Sequence, residues 1–230
     1  MSRSRPPGSV PHRGTRVPAS DAGESRSERK NRTRQALLDE TLGLMSDRSF
    51  ASLSLREVAK AAGIVPTAFY RHFASMEDLG VTLVEESMRV LRRMLREGRR
   101  DLAARQALPT AKNSLDTLLR QARENEARFR FLIREQYGGV AEVRRAIDTE
   151  LRLFAKELAI DLSRLPELVE WDAADLEMAA DLIVTIMLHT LGEWFDFDRR
   201  DPYDERELIR RTEHQLVMVF LGMRAWQPRL

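Results

Sequence analysis

The sequence predicts an all-α fold of about nine helices, a small N-terminal group followed by a larger helical half. Three observations carry that expectation. Apolar residues recur every three to four positions through most of the chain. No Val/Ile/Thr-rich alternating stretch reads as a strand. Pro109, the Gly138-Gly139 pair, Pro166 and Pro202 divide the remainder into helix-length segments. At 230 residues and 43% apolar composition, there is enough chain to bury a core. The absence of cysteine excludes disulfides and thiolate metal sites and fits a reducing cytoplasm, the expected location. No run of 18 apolar residues exists, so no membrane span is expected, and the basic N-terminus lacks the apolar stretch of a signal peptide.

The elements follow in order. Residues 1–25 are rich in Ser, Arg, Pro and Gly with few large apolar side chains, and are expected to form a disordered basic tail. Arg3, Arg5, Arg13, Arg16 and Arg26 make that tail either an arm along a polyanion or simply a solvated segment. A helix is expected from about Ser27 to Asp47, with Ala36, Leu37, Glu40, Leu44 and Met45 on its buried face. Arg29, Lys30, Arg32 and Arg34 in its first turns oppose the helix dipole, which suggests that a phosphate backbone favours them. Ser54 and Glu57 have the spacing of a capping box that opens the next helix, Leu55, Val58, Ala59 and Ala62 supply its buried side, and Gly63 ends it. Pro66 suits the first turn of a second short helix. Ser75, with Glu77 and Asp78 behind it, caps a long helix over about 76–105. Further helices are expected near 109–126, 128–137, 140–161, 173–196 and 204–225. The implied organisation is a tail at 1–25, a helix-turn-helix domain at 26–75, and a sensing and dimerisation domain at 76–230.

Charge is distributed unevenly. Residues 1–75 carry 13 Lys/Arg against 7 Asp/Glu, and the remainder carries 25 against 29. A basic front suggests a polyanionic partner there, although an unpartnered basic tail has the same composition. Advancing 100° per residue from Pro66 puts Phe69 and Phe73 together toward the core, with Thr67, Ala68 and Arg71 opposite and Tyr70 and His72 on the flanks. That division suits a helix seated in a major groove, its centre on base edges and its flanks on phosphates. Arg71 can donate twice to guanine, while Thr67 and Ala68 are short enough to touch a thymine methyl. Tyr70 and His72 can donate to phosphates, with Arg56 and Ser54 on the neighbouring strand. Val65 and Pro66 open this helix and complete the candidate DNA-binding set. No catalytic or metal site is expected. His12, His72, His189 and His214 are scattered, no phosphate-cradling glycine loop occurs, and the acidic residues Asp196, Asp198, Asp201, Asp204, Glu205 and Glu207 read as a solvated turn.

Residues 28–90 resemble the N-terminal domain of the TetR family of bacterial repressors. The run Gly63-Ile64-Val65-Pro66-Thr67-Ala68-Phe69-Tyr70-Arg71-His72-Phe73, then Ser75-Met76-Glu77-Asp78-Leu79, carries the resemblance. Three departures stand out: Val65 where a capping Ser or Thr is usual, Ala68 where Thr is common, and Met76 where a phosphate-binding Lys is frequent. The strings at 48–59, 69–73 and 129–136 further resemble the subgroup controlling unsaturated fatty-acid synthesis, the FabR- and DesT-type repressors. The resemblance implies a two-fold dimer on a palindromic operator, joined through the helices near 173–196 and 204–225. The stripes Leu182, Ile183, Ile186, Met187, Thr190, Leu191, Trp194 and Leu208, Leu216, Val219, Phe220, Met223 are compatible with that seam or with an ordinary core. It also implies no cofactor but a lipid effector, a long-chain acyl-CoA or acyl carrier protein thioester. The implied pocket is lined by Leu91, Leu95, Leu118, Phe129, Leu132, Ile133, Leu151 and Phe154. Its cationic mouth would come from Arg130 and Arg134 or from the arginines at 89, 92, 93, 96, 99 and 100. Two alternatives stay open: a regulator of an efflux or catabolic gene sensing a cationic or aromatic compound, and an acyl-binding carrier whose helix-turn-helix no longer functions.

Overall fold

The computed structural model describes residues 25–99, 107–196 and 202–226, with the side chains of 94–99, 107–111, 202–203 and 224 left out. The expected tail therefore lies outside the described residues, as do Asp198, Asp201, Arg100 and the side chains of Leu95, Arg96 and Arg99. Among the described residues the fold is all-α, with nine α-helices and no strand. They are α1 (Arg26–Leu44), α2 (Leu55–Ala61), α3 (Pro66–Phe69), α4 (Met76–Arg99), α5 (Ala107–Glu124), α6 (Glu126–Glu135), α7 (Ala141–Leu162), α8 (Ala173–Asp196) and α9 (Pro202–Ala225).

The helices α1, α2 and α3 form a small head, with α1 packed on α2 and α2 on α3. Its entry differs from the sequence expectation in one respect. The buried side of α1 is Leu37, Leu38, Thr41, Leu42 and Met45, whereas Glu40 is exposed and Ala36 and Leu44 are half-buried. Thr41 can be fully buried because its hydroxyl donates to the Leu37 carbonyl at 2.7 Å. Ser25 and Glu28 cap α1 reciprocally, which satisfies orphan backbone donors that the sequence reading left unassigned. Phe69 and Phe73 are buried behind α3, their ring centroids 5.7 Å apart, and each contributes about 1.5–3 kcal/mol by leaving water.

The helix α4 leaves the head and enters a bundle in which it packs on α7, α7 on α8, α8 on α9, and α9 on α5. Its start is capped as expected. Ser75 Oγ accepts from the Asp78 N–H, and Asp78 returns a carboxylate to the Ala74 N–H at 2.8 Å. The apolar core is continuous from head to bundle, running from Leu37, Phe50 and Phe69 through Phe131 and Ile147 to Trp194 and Leu208. A second cluster, around Leu162, Leu176, Ala180, Ile183 and Leu216, fills the far end. The stripe expected to be a dimer seam is mostly interior to one protomer: Ile183, Thr190, Leu191 and Trp194 on α8 and Leu208, Leu216 and Met223 on α9 are all buried. What α8 and α9 leave outside is Leu182 of that stripe, together with Met178, Met218 and Leu221.

Candidate nucleic-acid interface

The reading segment is built by its caps. Ser54 Oγ accepts from the Glu57 N–H and donates to Glu57 Oε2 at 2.7 Å, while the Ser54 N–H donates to the same oxygen at 2.9 Å. Together with Arg48 at 3.2 Å, these bonds hold the Glu57 carboxyl down to about 2, the Ser54 hydroxyl contributing most. The hydroxyl of Ser54 is thus engaged inside the protein, and it reaches a phosphate only by releasing Glu57. Arg56, two residues into α2, is exposed.

At the end of α2 the Gly63 N–H donates to the Lys60 carbonyl and the Ile64 N–H to the Ala59 carbonyl, a Schellman closure with Gly63 at φ +69°. A left-handed residue here lets the chain reverse so that α3 crosses α2. Val65 caps α3 with no side-chain bond, and Pro66 follows at the helix start. Regular helix lasts only to Phe69. Tyr70 to His72 continue as tight turns, with the Arg71 N–H on the Ala68 carbonyl and the His72 N–H on the Phe69 carbonyl. The expected helix to residue 73 is therefore shorter, yet Phe69 and Phe73 still anchor it from behind.

The candidate side chains emerge as one surface. Val65, Pro66, Thr67, Tyr70 and Arg71 are exposed, and Ala68 and His72 are half-buried. Tyr70 rests its ring edge-on against Phe69 at 5.8 Å with 63% of the residue accessible. The Arg71 guanidinium makes no hydrogen bond among the described residues, which leaves its five donors available. His72 is held below its ordinary range, first by burial and then by repulsion from Lys30, Arg34 and Arg71. Its Nδ1 is buried without a hydrogen-bond partner. A bare lone pair there is less costly than an orphan N–H, so the proton belongs on Nε2.

Arg34 departs from expectation. Its Nη1 donates to the His72 carbonyl at 2.8 Å, its Nη2 lies 3.3 Å from the Thr82 hydroxyl, and its guanidinium sits 4.3 Å over the Phe73 ring. It is a rivet that joins α1, the end of the reading segment and α4, its guanidinium engaged inside the protein. Nothing in the spacing of the sequence separates it from Arg29 or Arg32.

In the bundle, an apolar cavity of about 100 Å³ lies between α4, α5, α7, α8 and α9. Leu91, Leu118, Leu151 and Phe154 line it as expected. So do Ile183, Met187, Leu188 and Leu191 of α8 and Leu216 and Phe220 of α9, which sequence reasoning assigned to other roles or passed over. A smaller hollow of about 20 Å³ beside it is lined by Leu91, Phe129, Leu132, Ile133 and Leu151 among others. Ile133, Gln136 and Leu188 also border an open cleft that holds Arg130, Arg134 and His189 together with Glu193 and Asp196. Arg134 thus stands outside the apolar cavity, in the cleft, and not among its walls.

Residues 37–80 match the family described as bacterial regulatory proteins, tetR family, and residues 110–220 match its tetracyclin repressor-like C-terminal domain. The chain belongs to the TetR family. This TetR-type transcriptional regulator shares its fold with solved structures of low sequence identity. The regulator FadR from Bacillus subtilis, solved with stearoyl-CoA, is 16% identical, with 82% of this chain and 98% of that one covered and a TM-score of 0.63. The fatty acid degradation regulator FadR from Bacillus halodurans is 16% identical over 80% and 94%, with a TM-score of 0.64. The repressor FadR from Thermus thermophilus, solved with lauroyl-CoA, is 20% identical over 86% and 98%, with a TM-score of 0.59. No helix among the described residues is long and apolar enough to cross a membrane.

Proposed function

We propose that this TetR-type regulator is a homodimeric repressor that reads a palindromic operator and takes a long-chain acyl thioester, on coenzyme A or acyl carrier protein, into its bundle. Arg71 reads guanine, Thr67 and Ala68 meet a thymine methyl, and Tyr70, His72 Nε2–H and Arg56 hold phosphates. Val65 and Pro66 position the segment. Ser54 joins the phosphate contacts by giving up one bond to Glu57. Met178, Leu182, Met218 and Leu221, four outward apolar residues on α8 and α9, supply the dimer seam.

The observation that carries the effector class is the cavity wall. Among the described residues every lining side chain but Ser114 is apolar, and no carboxylate faces inward to balance a cationic drug. An alkyl chain gains about 0.8 kcal/mol per methylene buried there. The adjoining cleft, with Arg130 and Arg134, is where a polar head would stay in water. FadR proteins of the same fold, solved with stearoyl-CoA and lauroyl-CoA, support the reading. The strings at 48–59, 69–73 and 129–136 favour genes of unsaturated fatty-acid synthesis as the target.

Native mass spectrometry of the protein purified from cells tests this. The expected species is a dimer carrying acyl thioester mass, and added stearoyl-CoA changes its affinity for the promoter upstream of its own gene. A protein that ignores acyl thioesters and answers a cationic or aromatic compound would reverse the effector assignment. One that binds acyl thioester but shifts no duplex would be a carrier instead.

A further inference from the structure

The last turn of α6 touches both halves of the molecule. Leu132 and Ile133 line the smaller hollow. The next two residues grip the loop that joins α1 to α2. Arg134 Nη1 donates to the Met45 carbonyl at 3.0 Å and the Arg48 carbonyl at 2.9 Å. Glu135 is fully buried, and its Oε1 accepts from the Phe50 N–H at 2.9 Å. Four residues before Glu135, one turn back on the helix, Phe131 packs edge-on against Phe50 at 6.4 Å. Five consecutive residues thus divide between the two halves, Leu132 and Ile133 on the hollow and Phe131, Arg134 and Glu135 on the head.

The clamp is poised. Glu135 Oε2 is buried without a hydrogen-bond partner, so its carboxylate keeps this seat only while the surrounding packing holds it there. Gly138 completes the seat, because a Cβ at that position would run into Oε2. Hydrogen bonds near 2.9 Å weaken steeply with misalignment, so a small displacement of α6 releases the loop. The hollow beside Leu132 and Ile133 is too small for an alkyl chain as it stands, and a chain entering it must push its walls apart.

We propose that Arg134 and Glu135 are positioning residues that set the tilt of the reading head and report the filling of the cavity to it. This rests on the reading of the cavity as an effector site. A ligand that shifts α6 loosens or tightens the clamp, and the head moves with the 45–50 loop while the cavity stays apolar and intact.

The test measures operator affinity with and without stearoyl-CoA, on a duplex selected from a random library, for the parent and for Arg134→Ala, Glu135→Ala, Glu135→Gln and Gly138→Ala. Binding of stearoyl-CoA itself is measured alongside. The ratio of the two operator affinities is expected to fall toward one in the two alanine clamp variants and in Gly138→Ala, with stearoyl-CoA binding unchanged in Glu135→Ala and Gly138→Ala, whose residues line neither the cavity nor the cleft. Glu135→Gln, which keeps an acceptor for the Phe50 N–H, is expected to retain the parent ratio. Parent-like ratios in Arg134→Ala and Gly138→Ala would overturn the proposal. Arg134 is exposed, so its variant is read even where Glu135→Ala fails to fold. Because the chain has no cysteine, a spin label at Lys60→Cys reports the distance between the two heads without any ligand. If the parent binds neither stearoyl-CoA nor lauroyl-CoA, the effector reading fails by itself and the label decides the clamp. A distance distribution broadened by Arg134→Ala upholds it, and an unchanged one refutes it.

Discussion

The reading head and the sensing bundle are written into the chain in opposite ways. Every residue proposed to face DNA falls between Ser54 and His72, at offsets fixed by two short helices and one turn. The walls of the apolar cavity come from five helices, with Leu91 and Phe220 at its extremes in sequence. A local arrangement is carried by caps, a left-handed glycine and one apolar pair, all of which have sequence signatures. A cavity is carried by how faces meet, and a leucine facing a hollow has the same periodicity as a leucine facing another leucine. Exposed polar residues at fixed spacing therefore identify the head, whereas the bundle yields only its helices.

The sharpest way to break that contrast is Phe69→Ala. The side chain is fully buried, and its loss costs about 3–5 kcal/mol. Operator binding should disappear and chemical denaturation should show an early transition. If the two regions are as separable as their coding suggests, stearoyl-CoA binding survives. Loss of both would show that the continuous core makes them one folding unit.

Arg34→Ala is expected to come next. It removes the donor to the His72 carbonyl and the cation over Phe73, costing about 1–3 kcal/mol of stability for the acceptor left unsatisfied. Operator affinity should fall with it, but the salt dependence of binding should keep its parent slope, because no phosphate contact is lost. A shallower slope would return Arg34 to the DNA-facing set.

That pair of arginines shows where legibility ended. Arg34 and Arg71 are the same residue type in the same basic front, one riveted between helices and the other free in solvent. Partners distant in sequence, His72, Phe73 and Thr82, distinguish them. On α1 the expected face was rotated slightly, because Thr41 is polar by type yet buried with its hydroxyl satisfied by its own helix. On α8, apolar residues run around most of the helix, so the cavity side and the outward side merged into one stripe. The capping box at Ser54, the turn at Gly63, the bare cap at Val65 and the anchoring phenylalanines were all readable, since each depends on neighbours within a few positions.

Val65→Ser sharpens the comparison in the stabilising direction. Restoring a side-chain acceptor at the start of α3 should raise stability by roughly 0.5–1 kcal/mol, read as a higher melting temperature with no change in the bundle. The smallest effect is in pH. His72 is held below its unfolded value of about 6.5. The folded head therefore binds fewer protons than the unfolded chain, and stability present above that value is lost as pH falls through it. Glu57, held to about 2, adds a loss in the same direction at lower pH, from the ordinary carboxylate value near 4.3 downward. Melting followed between pH 7 and pH 5 should show a decline in the parent that His72→Gln removes.

The most direct measurement compares the affinity of parent and Arg71→Ala for the selected operator and for random duplex. A guanidinium on guanine predicts that the variant loses about 1–3 kcal/mol of discrimination, with relaxed preference at one base pair of each half-site. A variant that separates operator from random duplex as well as the parent does would contradict the placement of the reading face.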